Sequence, residues 1–338
     1  MITTHCYVQT FDPTENTLRR CEVVDFLKKQ NLEFSSSVQF TVGIYNDNQL
    51  IATGSLDRNV LKCFAVAPEF RHYGLTNELV TRLTNEAMRT NQNHLFIYTK
   101  PSNRHLFESL GYHLVEETED VVLLENKTNG MANFEKKLAQ NSLHGQSIAG
   151  MVMNCNPFTK GHQYLIQKAA SENAIVHLFI VQENRSLFRT AERMEMVRRG
   201  IASLNNVCLH CSGDYIISSA TFPSYFIKDK ETVIKAHAQL DLKIFAKHIA
   251  PPLKISRRYV GEEPFSRKTA IYNHFMHQIL PDFGVGVREI PRKAENGMAI
   301  SASHVRELLK NNEMETVRSL VPPTTFNYLC QWKMKRRQ

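Results

Sequence analysis

NCNPFTKGHQYLIQKAA, Asn154–Ala170, decides how the rest of the chain is read. Just before it, Ile148–Met153 (IAGMVM) is an apolar run of strand length, and within it Leu165, Ile166, Ala169 and Ala170 recur at helical spacing. That pattern predicts a strand, a tight loop and a helix. Pro157, between Asn156 and Phe158, fixes one backbone angle in the loop, and Gly161 removes a side chain where the backbone turns into the helix. A bulky group can therefore approach the first-turn N–H groups, which have no partners inside the helix and sit at the positive end of its dipole, a setting that suits phosphate. Thr159 and His162 are three residues apart, so a hydroxyl and an imidazole project on one side of that turn. Taken alone, the stretch also fits an ordinary helix start with a surface histidine.

A second stretch weighs against that plainer reading. Ile300–Arg306 (ISASHVR) opens another helix with Val305, Leu308 and Leu309 on its apolar side, Ser301 or Ser303 as N-cap and Arg306 in the first turn. Two helix N-termini, each with hydroxyls and a cationic or protonatable side chain, suit the two ends of a triphosphate.

Thr-x-Gly-His followed far downstream by Ile-Ser-x-Ser-x-Val-Arg resembles the nucleotidylyltransferase superfamily. The longer strings NPFTKGH, SGDYIISSATFPSYFIKD, YVGEEPFSRKTAIYN and IPRKAENGMAISASHVR resemble one branch of it, the citrate lyase ligases. The resemblance covers nearly the whole chain. It implies an enzyme that uses ATP, with Mg2+, to attach acetate to the thiol prosthetic group of citrate lyase's acyl carrier subunit by way of acetyl adenylate. It also implies a nucleotide site of Asn156, Pro157, Phe158, Thr159, Gly161, His162, Gly261, Glu262, Ser301, Ser303 and Arg306, with His162, Thr159 and Arg306 acting in catalysis. Attack on an α-phosphate needs no protein nucleophile, only groups that position it and stabilise charge on its oxygens. An imidazole donor suits that task, and the planar fork of an arginine suits the departing pyrophosphate. Ala302 stands where the superfamily motif has a serine. Two other functions stay open: an adenylyltransferase acting on a phosphate monoester such as phosphopantetheine, and a non-catalytic regulator that binds nucleotide and acetyl-CoA.

The chain has 338 residues, 42% of them hydrophobic, enough for two domains with real cores. No apolar run reaches membrane-spanning length, and the first residues, MITTHCYVQTFDP, lack the basic start and apolar centre of a secretory signal. Seven cysteines without framework spacing suit free thiols, so a cytoplasmic protein is expected. The net charge of +8 asks for an anionic partner. Basic residues are scattered, and the one dense run, KMKRR at Lys333–Arg337, reads as a solvated tail. A phosphate-rich ligand and an acidic carrier account for the surplus; neither nucleic acid nor membrane is expected.

In the N-terminal part, Val38–Tyr45, the turn Asn46–Asn48 and Gln49–Leu56 predict a hairpin, followed by strand Val60–Ala67. Arg71-His72-Tyr73-Gly74-Leu75-Thr76 leads into a helix with Leu75, Leu79, Leu83 and Ala87 on one face, then come strands His94–Thr99 and Val121–Leu124. This order, with FESLGY at Phe107–Tyr112, resembles the GNAT acetyltransferase fold, whose Arg-x-x-Gly-x-Gly/Ala loop holds the pyrophosphate of acetyl-CoA. Thr76 replaces the last small residue and its branched side chain crowds that loop, so a scaffold, or a recognition module for the carrier or its thiol arm, is as well supported as acetyl-CoA binding. The expected domains are therefore 1–125, a linker 126–147, and 148–338, where strands alternate with helices as in a doubly wound parallel sheet. The helix Lys228–Ile249, strand Arg258–Gly261, helix Ser266–Leu280, strand Val285–Ile290 and two final helices complete that half.

Several residues read more plainly. Gly261-Glu262-Glu263-Pro264 ends a strand at the ligand edge, where Glu262 suits a ribose, adenine or magnesium-linked contact or simply a solvated loop. Arg193 matches a superfamily arginine but lies opposite the apolar stripe of its helix, so a structural or surface place is expected. Cys208 and Cys211 have half a zinc-site spacing, yet strand geometry points them to opposite faces, so no metal is expected. Cys155 reads as a small packing residue.

Overall fold

The computed structural model describes residues 6–335 apart from 144, 184–185, 218–221, 264–265, 292–293 and 296–297. Its contacts divide the chain into two units, Met1–Phe134 with Pro223–Ala236, and Glu135–Phe222 with His237–Gln338. The short segment 223–236, expected in the C-terminal domain, thus groups with the N-terminal half.

The first unit runs β1 (Cys6–Phe11), α1 (Thr17–Lys29), β2 (Phe40–Asn46), β3 (Gln49–Asp57), β4 (Val60–Val66), α2 (Leu75–Arg89), β5 (Phe96–Thr99), α3 (Arg104–Glu108), β6 (His113–Glu117) and β7 (Val122–Glu125). The strands form one sheet in the order β1-β2-β3-β4-β5-β7-β6, antiparallel except where β4 meets β5. The hairpin turn falls on Asp47 and Asn48, both left-handed (φ 50° and 63°), the geometry that matches the twist of two antiparallel strands. Gly74, at φ 69°, turns the chain into α2, whose Leu75, Leu79, Leu83 and Ala87 are buried with Val80 against the sheet. This is the GNAT-like arrangement that the N-terminal motifs imply, with β1, α1 and β6 added to it. The stretch expected as a linker is helical over α4 (Gly130–Ala139), started by the buried carboxylate of Glu125, which accepts the Met131 N–H at 2.8 Å.

The second unit runs β8 (Ile148–Met153), α5 (Lys160–Glu172), β9 (Ile175–Ile180), α6 (Thr190–Gly200), β10 (Val207–Cys211), α7 (Lys230–Ile244, whose residues up to Ala236 group with the first unit), β11 (Arg257–Gly261), α8 (Arg267–Ile279) and β12 (Gly286–Ile290). After these come the short pair β13 (Ala294–Glu295) and β14 (Met298–Ala299), then α9 (Ala302–Lys310), α10 (Met314–Leu320) and α11 (Pro323–Lys335). The five long strands are all parallel, in the order β10-β9-β8-β11-β12. The chain winds one way from β8 to β10 and the other way from β11 to β12, so the switch point lies between β8 and β11, where such sheets bind ligands beyond their carboxyl ends. Ile166 and Ala169 of α5, Met196 and Val197 of α6 and Val305, Leu308 and Leu309 of α9 bury their apolar stripes against Ala149, Met151, Val176, Leu178 and Ile180. The expected solvated tail is in part helical: Lys333 and Lys335 belong to the last turn of α11, where lysines complement the helix dipole, while residues 336–338 lie outside the described residues. Pro264 lies outside them too.

The other face of this sheet carries a histidine pair. His177 of β9 is wholly buried, its Nδ1 is 2.9 Å from His210 Nε2 on β10, and its own Nε2 has no hydrogen-bond partner. Burial, and then the neighbouring His210, push His177 down to about 4 from an ordinary histidine value of 6.5. Between those two values the unfolded chain binds the proton and the folded chain does not. Stability is therefore complete above pH 6.5 and falls as the pH drops towards 4, by about 3 kcal/mol in all. Urea midpoints measured across that range should fall steeply for the parent and less for His177→Leu; parallel slopes would rule out this origin.

Candidate active site

At the switch point lies a cavity of about 560 Å3. Its walls come from the ends of β8 and β11, the start of α5, the residues ahead of α8, and the start of α9. Three helix N-termini meet there, and each is capped by a hydroxyl residue that lines the cavity: Thr159 for α5, Ser266 for α8 and Ser301 for α9. The positive ends of three helix dipoles around one space make a strong anion trap. Two of these were expected; α8 was foreseen as a helix but not as part of the site. The signal was present in Ser266, a capping residue five positions after Gly261.

Thr159 and His162 form a reciprocal cap. The Thr159 hydroxyl accepts the His162 N–H at 3.3 Å, and the Thr159 N–H donates to His162 Nδ1 at 3.1 Å. Because Nδ1 accepts a backbone proton, the neutral ring carries its own proton on Nε2. The fold thereby fixes the tautomer and leaves His162 with an Nε2–H donor. Thr159 Oγ1 also lies 3.0 Å from Nδ1, so the hydroxyl that sequence spacing aimed at a ligand serves first to orient the imidazole. The ring of His162 lies nearly parallel to that of Phe158, 13° apart with centroids 6.1 Å apart.

Of the expected site residues, Thr159, Gly161, His162, Gly261, Glu262, Ser301 and Ser303 come together on this cavity. Asn156, Pro157 and Phe158 are buried and do not line it. They support the loop from below: Asn156 Oδ1 accepts the Phe188 N–H at 3.3 Å, and Phe158 is fully enclosed. Arg306 is half-buried outside the lining and ties α9 to the loop, donating from Nη1 to the Asn156 carbonyl at 2.6 Å and from Nη2 to Ser303 Oγ at 2.9 Å. Glu263 and Thr269 also line the cavity, and Glu263 accepts the Ser266 N–H at 3.3 Å. Cys155 is buried at φ 52° with its thiol pushed up by burial, in keeping with a packing residue and against a nucleophile.

The expectation of a surface or plain structural place for Arg193 needs correcting on the first count. Arg193 is wholly buried. Its guanidinium donates to the carbonyls of Asn154 (2.7 Å), Glu183 (2.6 Å) and Phe188 (3.1 Å), and to Asn154 Oδ1 at 2.8 Å. One cation thus ties the loop after β8 to the segment after β9. The apolar stripe could not reveal this, because the groups that satisfy the guanidinium are backbone carbonyls of loops outside its own helix.

Two glycines act here in opposite ways. A Cβ on Gly161 would meet nothing closer than Thr159 Oγ1 at 3.5 Å, so the fold tolerates one. A Cβ on Gly200 would stand 2.2 Å from Phe158 Cε1, inside the ring that supports the loop. Gly161→Ala should therefore keep the parent's melting temperature while weakening ATP binding about tenfold, the size of a 1–2 kcal/mol clash. Gly200→Ala should lose about 1–3 kcal/mol of stability. Calorimetry and thermal melts on both variants test the contrast, and a destabilised Gly161→Ala with normal ATP affinity would reverse it.

Fold and cavity together define a doubly wound parallel-sheet domain with an anion-binding site at its switch point, preceded by a mixed α/β domain. Comparison with known proteins agrees with that order: residues 148–329 match the model of the citrate lyase ligase C-terminal domain, and residues 41–121 match that of FR47-like proteins. The [citrate [pro-3S]-lyase] ligase of Haemophilus influenzae is 40% identical over 311 residues, 90% of this chain and 93% of its own length. That of Escherichia coli is 38% identical over 317 residues, 92% of this chain and 90% of its own. The chain belongs to the citrate lyase ligase family, a family of enzymes. The solved structure of Thermotoga maritima TmcAL bound with alpha-thio ATP is similar over 56% of each chain, at 12% identity and a TM-score of 0.41. None of the helices among the described residues is long and apolar enough to cross a membrane.

Proposed function

We propose that the chain activates citrate lyase by acetylating the thiol prosthetic group of its acyl carrier subunit, with acetate and Mg-ATP as the other substrates. The observation that carries the ATP half is the Thr159–His162 cap, which sets an Nε2–H donor beside three convergent helix N-termini. An acetate oxygen attacks the α-phosphorus, the bond to the bridging oxygen of the β-phosphate breaks, and pyrophosphate leaves behind acetyl adenylate. The carrier's thiol, giving up its proton, then attacks the acetyl carbon and AMP departs with the oxygen. His162 Nε2–H stabilises charge on the α-phosphate oxygens, with Thr159 holding the ring. Ser301 and Ser303 face the β- and γ-phosphates, Arg306 holds Ser303 and the loop in place behind them, and Gly261 and Glu262 face the nucleoside side. Asn156, Pro157 and Phe158 support the phosphate loop from beneath.

Mg2+ fits as an ion carried on the phosphates. Such an ion needs only one or two protein carboxylates, and Glu262 and Glu263 are at hand on the cavity, whereas the described residues contain no group of three or more His, Cys, Asp or Glu side chains able to hold a metal. Bound there, it would neutralise phosphate charge. All seven cysteines are free thiols, which supports a reducing, cytoplasmic setting.

The test is ATP–pyrophosphate exchange on purified protein against a panel of small carboxylates. Acetate-dependent exchange, followed by AMP release when the carrier is added, is the expected result. A dinucleotide-like product formed from a phosphate monoester would instead identify an adenylyltransferase, and no exchange with any carboxylate would remove the proposal. Arg306→Ala should abolish most exchange and Arg306→Lys restore only part of it, since a point-like ammonium cannot reproduce the fork that bonds Asn156 O and Ser303 Oγ together. Full activity in the lysine variant would exclude this role.

A further inference from the structure

In the first unit, β4 and β5 pair only at Val60↔Phe96 and Leu61↔Ile97. Both continue past that point, β4 paired to β3 as far as Val66 and β5 paired to β7 as far as Thr99, so each keeps its outer neighbour while the two part from one another. A fork of this kind faces inward with backbone N–H and C=O groups that have lost their strand partner and must find another. An extended ligand bearing amides could supply them, as a strand added to a sheet does. At the fork lies a cavity of about 430 Å3, lined by Phe64 and Val66 of β4, Thr99 of β5, Thr76 at the start of α2, and Tyr225 and Phe226 among others. The acetyl-CoA reading of the N-terminal motifs points to this place.

Here the fork is filled from within the chain. Tyr225, from the segment 223–236, is buried, and its hydroxyl donates to the Tyr98 carbonyl of β5 at 3.4 Å. On the opposite prong, Phe64, Ala65 and Val66 of β4 border the same cavity as Tyr225. Its carbonyl accepts the Glu33 N–H at 2.8 Å, and Phe226 packs edge-on against its ring with centroids 5.0 Å apart. The segment is held further along by Lys228 Nζ on Asn31 Oδ1 (3.3 Å) and by Lys235 Nζ on Glu119 (3.3 Å) and Asp120 (3.7 Å). Tyr225 therefore reaches one prong with its hydroxyl and shares a cavity with the other, and the strap that carries it is anchored further along.

We propose that residues 223–236 are the resident occupant of the β4–β5 fork, and that Tyr225 bars acetyl-CoA from the N-terminal unit. The unit then keeps the shape of an acyl-thioester site, with Tyr225 standing in the part of the cavity that borders the parted strands. The barrier lies in Tyr225, which reaches β5 with its hydroxyl, and not in the crowding by Thr76, which borders the same cavity from the start of α2.

The experiment is calorimetric titration of acetyl-CoA into the full chain and into four variants: Tyr225→Ala, Tyr225→Phe, Tyr225→Leu and Thr76→Gly. Tyr225→Ala empties the fork, Tyr225→Phe keeps it filled, and Tyr225→Leu keeps an apolar stem while vacating the hydroxyl end, so it serves if the alanine variant does not fold. The parent, Tyr225→Phe and Thr76→Gly should bind at least tenfold more weakly than whichever of the Ala and Leu variants is folded. Tight binding by the parent overturns the proposal without reference to any variant. So does a gain in Thr76→Gly with Tyr225 in place, or the absence of any gain in a folded Ala or Leu variant.

Discussion

His162→Ala should lower the rate of acetate-dependent ATP–pyrophosphate exchange by about a hundred- to a thousandfold, the usual effect of losing one preorganised donor to developing charge. ATP binding should change far less, because the three capped helix N-termini remain. The substitution removes the Nε2–H donor and also the acceptor of the N–H of Thr159, a buried residue, so part of its effect is structural. His162→Asn separates these two effects, since its side-chain oxygen can still accept from the backbone at a helix start while no donor reaches the α-phosphate. Synthetic acetyl adenylate supplied with the thiol-bearing carrier bypasses activation, and in that assay His162→Ala should approach the parent. Equal impairment in both assays would assign His162 to the fold or to the thiol step instead.

The other large effect is expected at Arg193. Arg193→Met keeps the apolar bulk of the side chain but strips hydrogen bonds from the carbonyls of Asn154, Glu183 and Phe188 in a place where Arg193 itself is sealed from solvent. Leaving such acceptors unsatisfied is far costlier than a typical surface change, so the folded state should lose about 3–5 kcal/mol. Exchange activity should fall with it, because Asn154 opens the loop that ends in Thr159 and His162. The urea midpoint measures the first effect and the KM for ATP the second. Saturating ATP should recover part of the midpoint by mass action. A variant with the parent's midpoint would mean that the two segments are held by other contacts.

Arg193 also illustrates where reading along the chain stops short. Its helix was legible from Met194, Val197 and Ile201, and opposite that stripe an arginine reads as solvent-facing. The tertiary fold instead closes two loops over it, and backbone carbonyls, which every residue has, carry no signature in sequence. For the same reason the sequence stretch Asn156-Pro157-Phe158 reads as ligand-facing although it is buried beneath the loop. α1 was missed because only Val23, Phe26 and Leu27 are buried in it, too few to mark a stripe among charged residues. β1 and β6 were missed because outer strands present short, half-exposed patterns.

Local chemistry, by contrast, was decided by the residues themselves. The strand Ile148–Met153 and the cap at Thr159 lie where apolar run and hydroxyl predict them, and so do Ser301 at the head of α9 and the left-handed turn at Asp47–Asn48. Each depends on interactions within a few residues, so each is written in a short string. The sequence by itself therefore determined the two α/β halves and the pairing of a Thr-x-Gly-His helix with an Ile-Ser-x-Ser helix. Only the tertiary structure decided that a third helix start joins them, that Arg306 reaches the Asn156 carbonyl, and that Tyr225 leaves its own half of the sequence to fill a fork in the other. Those contacts join residues from about 100 to 150 positions apart, and what selects them is the satisfaction of buried backbone groups, which no local pattern of side chains encodes.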